Sequence, residues 1–114
     1  MAKILIFGLD RSLTDQLDPV LKQLGQTVQV APSTSRVLEH TDADLVFAAG
    51  DSIETVRKQR PELPVVVVSR LPEVSGWLDA LDAGACDYCG APFEATQVRW
   101  VLDSSLRTGY REAA

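Results

Sequence analysis

The sequence has few of the residue types that cross-link small domains. Only two of its 114 residues are cysteine, and only one is histidine. A disulfide framework needs several cysteine pairs, and a structural zinc site needs a full set of cysteine or histidine ligands, so neither scaffold fits this composition. A chain of this length can bury one hydrophobic core without such cross-links. We therefore expect a single domain over residues 1–114.

Positive charge is also in short supply. The 11 Lys and Arg residues are outnumbered by 16 Asp and Glu residues, which gives a formal net charge of -5. The resulting surface potential opposes contact with nucleic acid phosphates and with anionic lipid. We expect no direct contact with nucleic acid or with a membrane. If the protein acts on DNA, another domain must touch the DNA.

Long hydrophobic runs are missing as well. The longest ones, such as LPVVVVS, are far too short to cross a bilayer. The N-terminal segment MAKILIFG has neither the charged region nor the cleavage site of a signal peptide. The sequence therefore predicts a cytoplasmic protein, in which two cysteines would normally stay reduced.

Short apolar segments rich in β-branched residues recur along the chain. Three of them are apolar on both faces, as is typical of parallel strands covered by helices on both sides. The predicted strands are 3–8, 27–30, 44–50, 64–69 and 86–89, and the predicted helices are 13–24, 33–40, 52–60, 73–83 and one that begins near Glu94. This alternation predicts an α/β fold with a parallel sheet, and it predicts ligand chemistry at the carboxyl ends of the strands.

The segment ALDAGACDYCGAPFE, residues 80–94, is the most specific in the chain. It resembles the Ala-x-x-x-Gly-Ala-x-Asp-Tyr-x-x-Lys-Pro-Phe-Glu ending of the receiver domains of bacterial two-component response regulators. KILIFGLDRSL likewise resembles the first strand and acidic turn of that family, and DADLVFAAG resembles the strand that carries the phosphoacceptor. The resemblance covers essentially the whole chain. It implies a flavodoxin-like (βα)5 three-layer sandwich with five parallel strands in the order 2-1-3-4-5.

The resemblance also implies a pocket, and the chain departs from it there. A receiver forms an aspartyl phosphate, holds Mg2+ with an acidic pair and has a lysine near the phosphoryl oxygens. The acidic pair falls on Gly8 and Leu9, the phosphoacceptor on Ala49 and the lysine on Ala91. The segment 49–69 is also shorter than is usual in the family, so an altered pocket mouth is expected. We expect a pseudo-receiver without enzymatic activity, cofactor or bound metal.

Four other side chains belong near this degenerate pocket. Asp10 is either a third acidic residue of the pocket or a polar residue before the first helix. Asp51 is either a relocated phosphoacceptor or, as fits its position better, a helix cap. Ser69 matches the hydroxyl position of the family and either switches a loop or satisfies a nearby backbone group. Tyr88 matches the aromatic switch position and otherwise packs at the sheet edge with its hydroxyl in water.

The first functional hypothesis is a phosphorylation-independent regulatory and protein-interaction module, the N-terminal part of a longer regulator with an output domain. Its interaction face, for a protein partner or for self-association, comprises the helix 73–83, the strand 86–89 with Tyr88, and the last helix. Trp100 points away from the core stripe of that last helix, and tryptophan commonly anchors interfaces. The alternative for Trp100 is a half-buried position against a neighbouring side chain.

Two other hypotheses use different parts of the chain. The alternative function is a small-molecule or nucleotide sensor that reuses the vacated pocket, lined by Gly8, Leu9, Ala49, Ser69 and Ala91. A redox or metal protein built on Cys86 and Cys89 is disfavoured, because these residues lie on a strand rather than at a helix N-terminus. Both cysteines are most simply explained as small apolar fillers.

Overall fold

Five parallel strands form a single sheet. The computed structural model describes residues 2–69, 82, 84–91 and 93–113. The strands are β1 (Lys3–Phe7), β2 (Thr27–Ala31), β3 (Leu45–Ala48), β4 (Val65–Ser69) and β5 (Asp87–Gly90), and their order in the sheet is β2-β1-β3-β4-β5. Every neighbouring pair is parallel. The predicted fold class and strand order are therefore confirmed.

Helices and short 3-10 turns connect these strands in the described part of the chain. They are the helices α1 (Arg11–Gln23), α2 (Ile53–Gln59) and α3 (Ala95–Ala113) and the 3-10 turns Val37–Glu39 and Gly50–Ser52. Helix α1 ends as predicted before Gly25, whose N–H donates to the carbonyl oxygen of Lys22 at 3.0 Å. The helix predicted over 73–83 lies, apart from Asp82, outside the described residues. None of the described helices is both long and apolar enough to cross a membrane.

The connection between β2 and β3 differs from its prediction. A helix was expected over 33–40, but the segment contains only the 3-10 turn Val37–Glu39. Ser35 competes with helical hydrogen bonding, because its hydroxyl oxygen accepts the N–H of Val37 at 3.1 Å. Arg60, at the end of α2, donates hydrogen bonds to the carbonyl oxygens of Leu38 and Thr41. The connection is therefore held by the backbone hydrogen bonds of this short turn and by side chains, and not by those of a regular α-helix.

The hydrophobic core lies on both faces of the sheet, because successive strand residues point to opposite sides. On one face, the strand residues Ile4, Ile6, Phe47, Val66 and Val68 pack with Leu13, Leu17 and Leu21 of α1 and with Val98, Val101 and Leu102 of α3. On the other face, Leu5, Phe7, Val46 and Val65 pack with Val37, Leu38 and Val56. With helices or turns on both faces and all strands parallel, the carboxyl ends of the five strands lie together at one end of the sheet.

Candidate functional site

The end of β1 is occupied by Gly8, and its surroundings leave no room for a side chain. Its φ is +71°, a left-handed conformation that favours glycine, and its N–H donates to the carbonyl oxygen of Ala31 at 3.0 Å. A Cβ atom on Gly8 would lie 2.6 Å from Ser52 Oγ and 3.2 Å from Ser33 Cβ. The first of these separations is shorter than Cβ atoms adopt. The left-handed backbone conformation therefore favours glycine at this position, and a larger residue would also require the Ser52 hydroxyl to rotate away.

The end of β3 continues directly into a tight turn. Ala49 follows the last strand residue, and its carbonyl oxygen accepts the N–H of Ser52 at 2.9 Å. This hydrogen bond closes the 3-10 turn, and α2 begins at the next residue, Ile53. Ser52 is only 5% exposed. The short turn thus brings the side chain of Ser52 over the end of β1.

Asp10 has a defined structural role. Its Oδ1 accepts the backbone N–H of Leu13 at 2.9 Å, and its carbonyl oxygen accepts the hydroxyl of Thr14 at 2.9 Å. Asp10 is therefore the N-cap of α1, which is a more specific role than that of a polar residue before the helix.

Asp51 does not have the role that its position in the sequence predicts. It is exposed in the 3-10 turn, and Ser52 occupies the N-cap position of α2. No side-chain hydrogen bond caps this helix among the described residues around it. The helix-cap prediction for Asp51 is therefore wrong, because the 3-10 turn shifts the start of the helix to Ile53.

The ends of β4 and β5 lie side by side. Ser69 pairs with Gly90 in the sheet, and its carbonyl oxygen accepts the N–H of Ala91 at 2.9 Å. The half-buried side chains of Leu9 and Ala91 pack against the core on the face covered by α1 and α3. The strand-end residues singled out in the sequence therefore lie along one edge of the sheet, and apolar groups make up much of this edge.

Tyr88 is half-buried on the edge strand β5. It packs against a small cluster on the α2 side of the sheet, formed by Ile53, Val67 and Ala85. Ile53 is the first residue of α2. The cluster against which Tyr88 packs therefore includes the start of the helix that follows the strand-end turn.

Metal-binding chemistry has little support among the described residues. Among them, no group of three or more His, Cys, Asp or Glu side chains could hold a metal ion. Gly8, Leu9, Ala49 and Ala91 carry no charge. These four residues therefore supply no side-chain oxygen for a hard cation and no carboxylate nucleophile.

Cys86 and Cys89 form no disulfide with each other. Cys89 is fully buried in the core beneath α1 and α3. This burial, together with the charge of Asp87, raises the pKa of the Cys89 thiol to about 11. Redox motifs instead lower the thiol pKa, so the environment of Cys89 confirms the expectation of an apolar filler. Cys86 is half-buried.

Trp100 lies on the outer face of α3. Its side chain is 67% exposed, whereas Val98, Val101 and Leu102 on the same helix are buried. The predicted orientation away from the core is thus confirmed. The alternative, a half-buried position against a neighbouring side chain, is wrong.

Comparisons with known proteins agree with this architecture, although no family model matches the sequence. The chain is 28% identical over 116 residues to the DNA-binding transcriptional regulator NtrC of Rhizobium meliloti, covering 92% of the chain and 24% of the relative. It is 31% identical over 113 residues to the transcriptional regulatory protein VxrB of Vibrio cholerae, covering 92% of the chain and 46% of the relative. The chain therefore spans less than half the length of either relative.

Solved structures extend this likeness to three dimensions. The response regulator receiver domain protein (CheY-like) of Methanospirillum hungatei superimposes with a TM-score of 0.80 at 19% identity, covering 98% of both chains. At this identity the match concerns the fold. The family comes from curated relatives such as the response regulator MprA of Mycobacterium ulcerans, which is 30% identical over 116 residues, covering 92% of the chain and 50% of the relative. The chain belongs to the response regulator receiver family.

The residue of this receiver domain that sequence reasoning missed is Ser52. The sequence indicates a glycine at position 8 and a short connection after β3, and both features are present in the structure. The contact between Ser52 and Gly8 depends on the path of the turn after β3, and hydrophobic periodicity does not specify that path. A glycine directly after the first strand, together with a short connection after the third strand, is the signal that could have located Ser52.

Proposed function

We propose that this receiver domain is a pseudo-receiver, which regulates through protein contacts and without phosphorylation. The observation that carries the proposal is the chemistry of the strand ends. Gly8, Leu9, Ala49 and Ala91 correspond to the acidic pair, the phosphoacceptor and the lysine of the family pattern. Ala49 has no atom beyond Cβ that could accept a phosphoryl group, and none of the four side chains has an oxygen atom that could bind Mg2+.

The carboxylates that remain near the strand ends do not replace the missing ones in this proposal. Asp10 is engaged as a helix cap through its hydrogen bond to the N–H of Leu13. Asp51 lies two positions beyond Ala49 and is exposed. A phosphoryl group on this carboxylate would not have the acidic pair of the family pattern beside it, which holds the cation that phosphoryl transfer needs.

The proposed interaction face comprises α3 and the edge strand β5, together with the predicted helix 73–83, which apart from Asp82 lies outside the described residues. Trp100 supports this face, because a large, rigid and 67% exposed side chain can bury extensive apolar area on a partner. Tyr88 contributes a half-buried ring on β5. A protein partner or a second copy of the chain would use the exposed ring of Trp100 as its anchor.

The domain is proposed to be the N-terminal part of a longer regulator with an output domain. The lengths of the curated relatives support this, since the chain covers 24% of one and 46% of the other. NtrC is, by its name, a DNA-binding transcriptional regulator. With a net charge of -5, the chain itself is poorly suited to contact phosphates, so any DNA contact is assigned to another domain.

The sensor hypothesis is less well supported. A ligand would need the space in front of Gly8, and the side chain of Ser52 lies against that position. The packing therefore favours an interaction module over a small-molecule pocket.

Amide NMR spectroscopy tests whether the domain has lost the phosphorylation chemistry. The domain is titrated with Mg2+ and then with beryllofluoride, which mimics a phosphoryl group, and an active receiver domain serves as the positive control. We expect no saturable chemical shift changes at Gly8, Ala49 or Asp51. Saturable changes at these residues would overturn the proposal.

A further inference from the structure

We propose that Ser52 is a built-in occupant of the receiver pocket, whose hydroxyl fills the space that a side chain at position 8 would take. The pocket is then closed by packing as well as by the loss of its charged residues. This inference rests on the proposed pseudo-receiver function and adds a reason why that state is difficult to reverse.

The contact geometry at Gly8 carries the inference. The Ser52 Oγ atom lies 2.6 Å from the position of a Cβ atom on Gly8, and the Ser52 Cβ atom lies 3.5 Å from it. The second distance is an ordinary van der Waals contact, so the obstruction comes from the hydroxyl group itself. Ser33 Cβ, at 3.2 Å, narrows the same space from the loop after β2. A carboxylate is larger than a methyl group and would need all of this space.

The backbone on both sides of Ser52 is fixed. Its N–H donates to the carbonyl oxygen of Ala49, and the next residue, Ile53, is 2% exposed in a cluster with Val67 and Ala85. Ser33, in contrast, is exposed in a loop. Of the two serines, Ser52 is therefore the one whose backbone and Cβ atom are held in place, so that only a rotation about its Cα–Cβ bond could move the hydroxyl away.

A consequence is that positions 8 and 52 depend on each other. An acidic residue at position 8 would meet the Ser52 hydroxyl before it could reach a cation held by another strand end. Restoring the carboxylates alone should therefore fail to restore a metal site, whereas restoring them together with removal of the Ser52 side chain should succeed.

The first test measures the packing contact directly through urea denaturation. Gly8→Ala is compared in the natural background and in a Ser52→Gly background, and Ser33→Gly is the matched control background. Gly25→Ala reports the cost of the left-handed backbone alone, because Gly25 has a φ of +83° and nothing within 4 Å of its added Cβ atom.

We expect Gly8→Ala to lower the urea midpoint more than Gly25→Ala does, and we expect Ser52→Gly to remove most of this excess. Ser33→Gly should remove less of it. An excess that persists in the Ser52→Gly background, including unfolding of Gly8→Ala in both backgrounds, would overturn the role of Ser52.

The second test measures Mg2+ binding by isothermal titration calorimetry. The double variant Gly8→Asp, Ala49→Asp is compared with the triple variant that also carries Ser52→Gly, after circular dichroism has verified that each is folded. We expect the triple variant to bind Mg2+ at least tenfold more tightly. Equal affinities would contradict the inference, and if either variant fails to fold, the urea test decides.

The two proposals fail in different ways. Binding of Mg2+ or beryllofluoride by the unaltered protein would contradict the pseudo-receiver function. Equal urea midpoint shifts and equal Mg2+ affinities with and without the Ser52 side chain would contradict only the proposed role of Ser52. They would leave the proposed function intact.

Discussion

The guanidinium Nη1 of Arg60 donates to the carbonyl oxygen of Leu38 at 3.1 Å, across 22 positions of sequence. The same nitrogen donates to the carbonyl oxygen of Thr41 at 3.0 Å. Arg60 also pairs with Glu62, which lowers the pKa of the Glu62 carboxyl. One side chain thus joins the end of α2 to the connection between β2 and β3.

Removal of this guanidinium should destabilise the domain. Hydrogen bonds from a charged group contribute about 1.5–3 kcal/mol, so we expect Arg60→Ala to lower the free energy of unfolding by about that amount. Arg60→Lys should recover only part of the loss, because lysine lacks the planar fork of donors. Urea denaturation measures both, with Lys58→Ala on the exposed side of α2 as the control. If Arg60→Lys had the same free energy of unfolding as the unaltered protein, the planar guanidinium would not be needed for these hydrogen bonds.

Variants of Asp10 test whether its cap hydrogen bond or its negative charge stabilises the domain. Asp10→Ala should lower the free energy of unfolding by about 1 kcal/mol, because the N–H of Leu13 loses its acceptor. Asp10→Asn should keep most of the stability, since an amide oxygen also accepts that hydrogen bond. Thermal and urea denaturation are the measurements. A loss in Asp10→Asn as large as that in Asp10→Ala would indicate that the charge, and not the cap, is what matters.

Cys89 should make stability fall in alkaline solution. The folded-state pKa of its thiol is raised from 9.0 to about 11, so between these pH values the unfolded chain releases a proton that the folded chain retains. The contribution of the neutral thiol is present below pH 9 and is lost as the pH rises toward about 11. We expect a loss of about 2–3 kcal/mol from this group.

The measurement compares urea denaturation at pH 8 and near pH 11 in the unaltered protein and in Cys89→Val. The fall in stability with pH should be smaller in the variant, because valine has no proton to release. Cys86→Ser serves as the control and should keep the full effect. An identical fall in Cys89→Val and in the unaltered protein would assign the alkaline loss to other groups.

Trp100 should determine any association through α3. If that face binds a partner or a second copy, Trp100→Ala removes the anchor and weakens binding by about 2 kcal/mol or more. Val30→Ala is the matched control, because Val30 is also a large exposed hydrophobic residue, 52% exposed, but lies on β2 at the opposite edge of the sheet. Molar mass by light scattering and titration with partner are the measurements. An unchanged association in Trp100→Ala would rule out this face.

The parts of the structure that could be predicted from the sequence are those that depend on repeated apolar residues. The runs 44–50 and 64–69 predict β3 and β4, because β-branched residues buried on both faces fit a covered parallel strand. The helix expected over 33–40 was wrong, since hydrogen bonds from Arg60 and to Ser35 override the local pattern. The contact of Ser52 with Gly8 could not be predicted, because it depends on the path of a turn rather than on periodicity.

The uncharged strand ends also affect what the fold needs from its solvent. Clustered carboxylates repel one another, and a fold that carries them is more stable when a cation is bound. Gly8, Leu9 and Ala49 generate no such repulsion at the ends of β1 and β3. No counterion is therefore needed to relieve electrostatic strain at these three positions, and a change in divalent cation concentration has no charge to act on there.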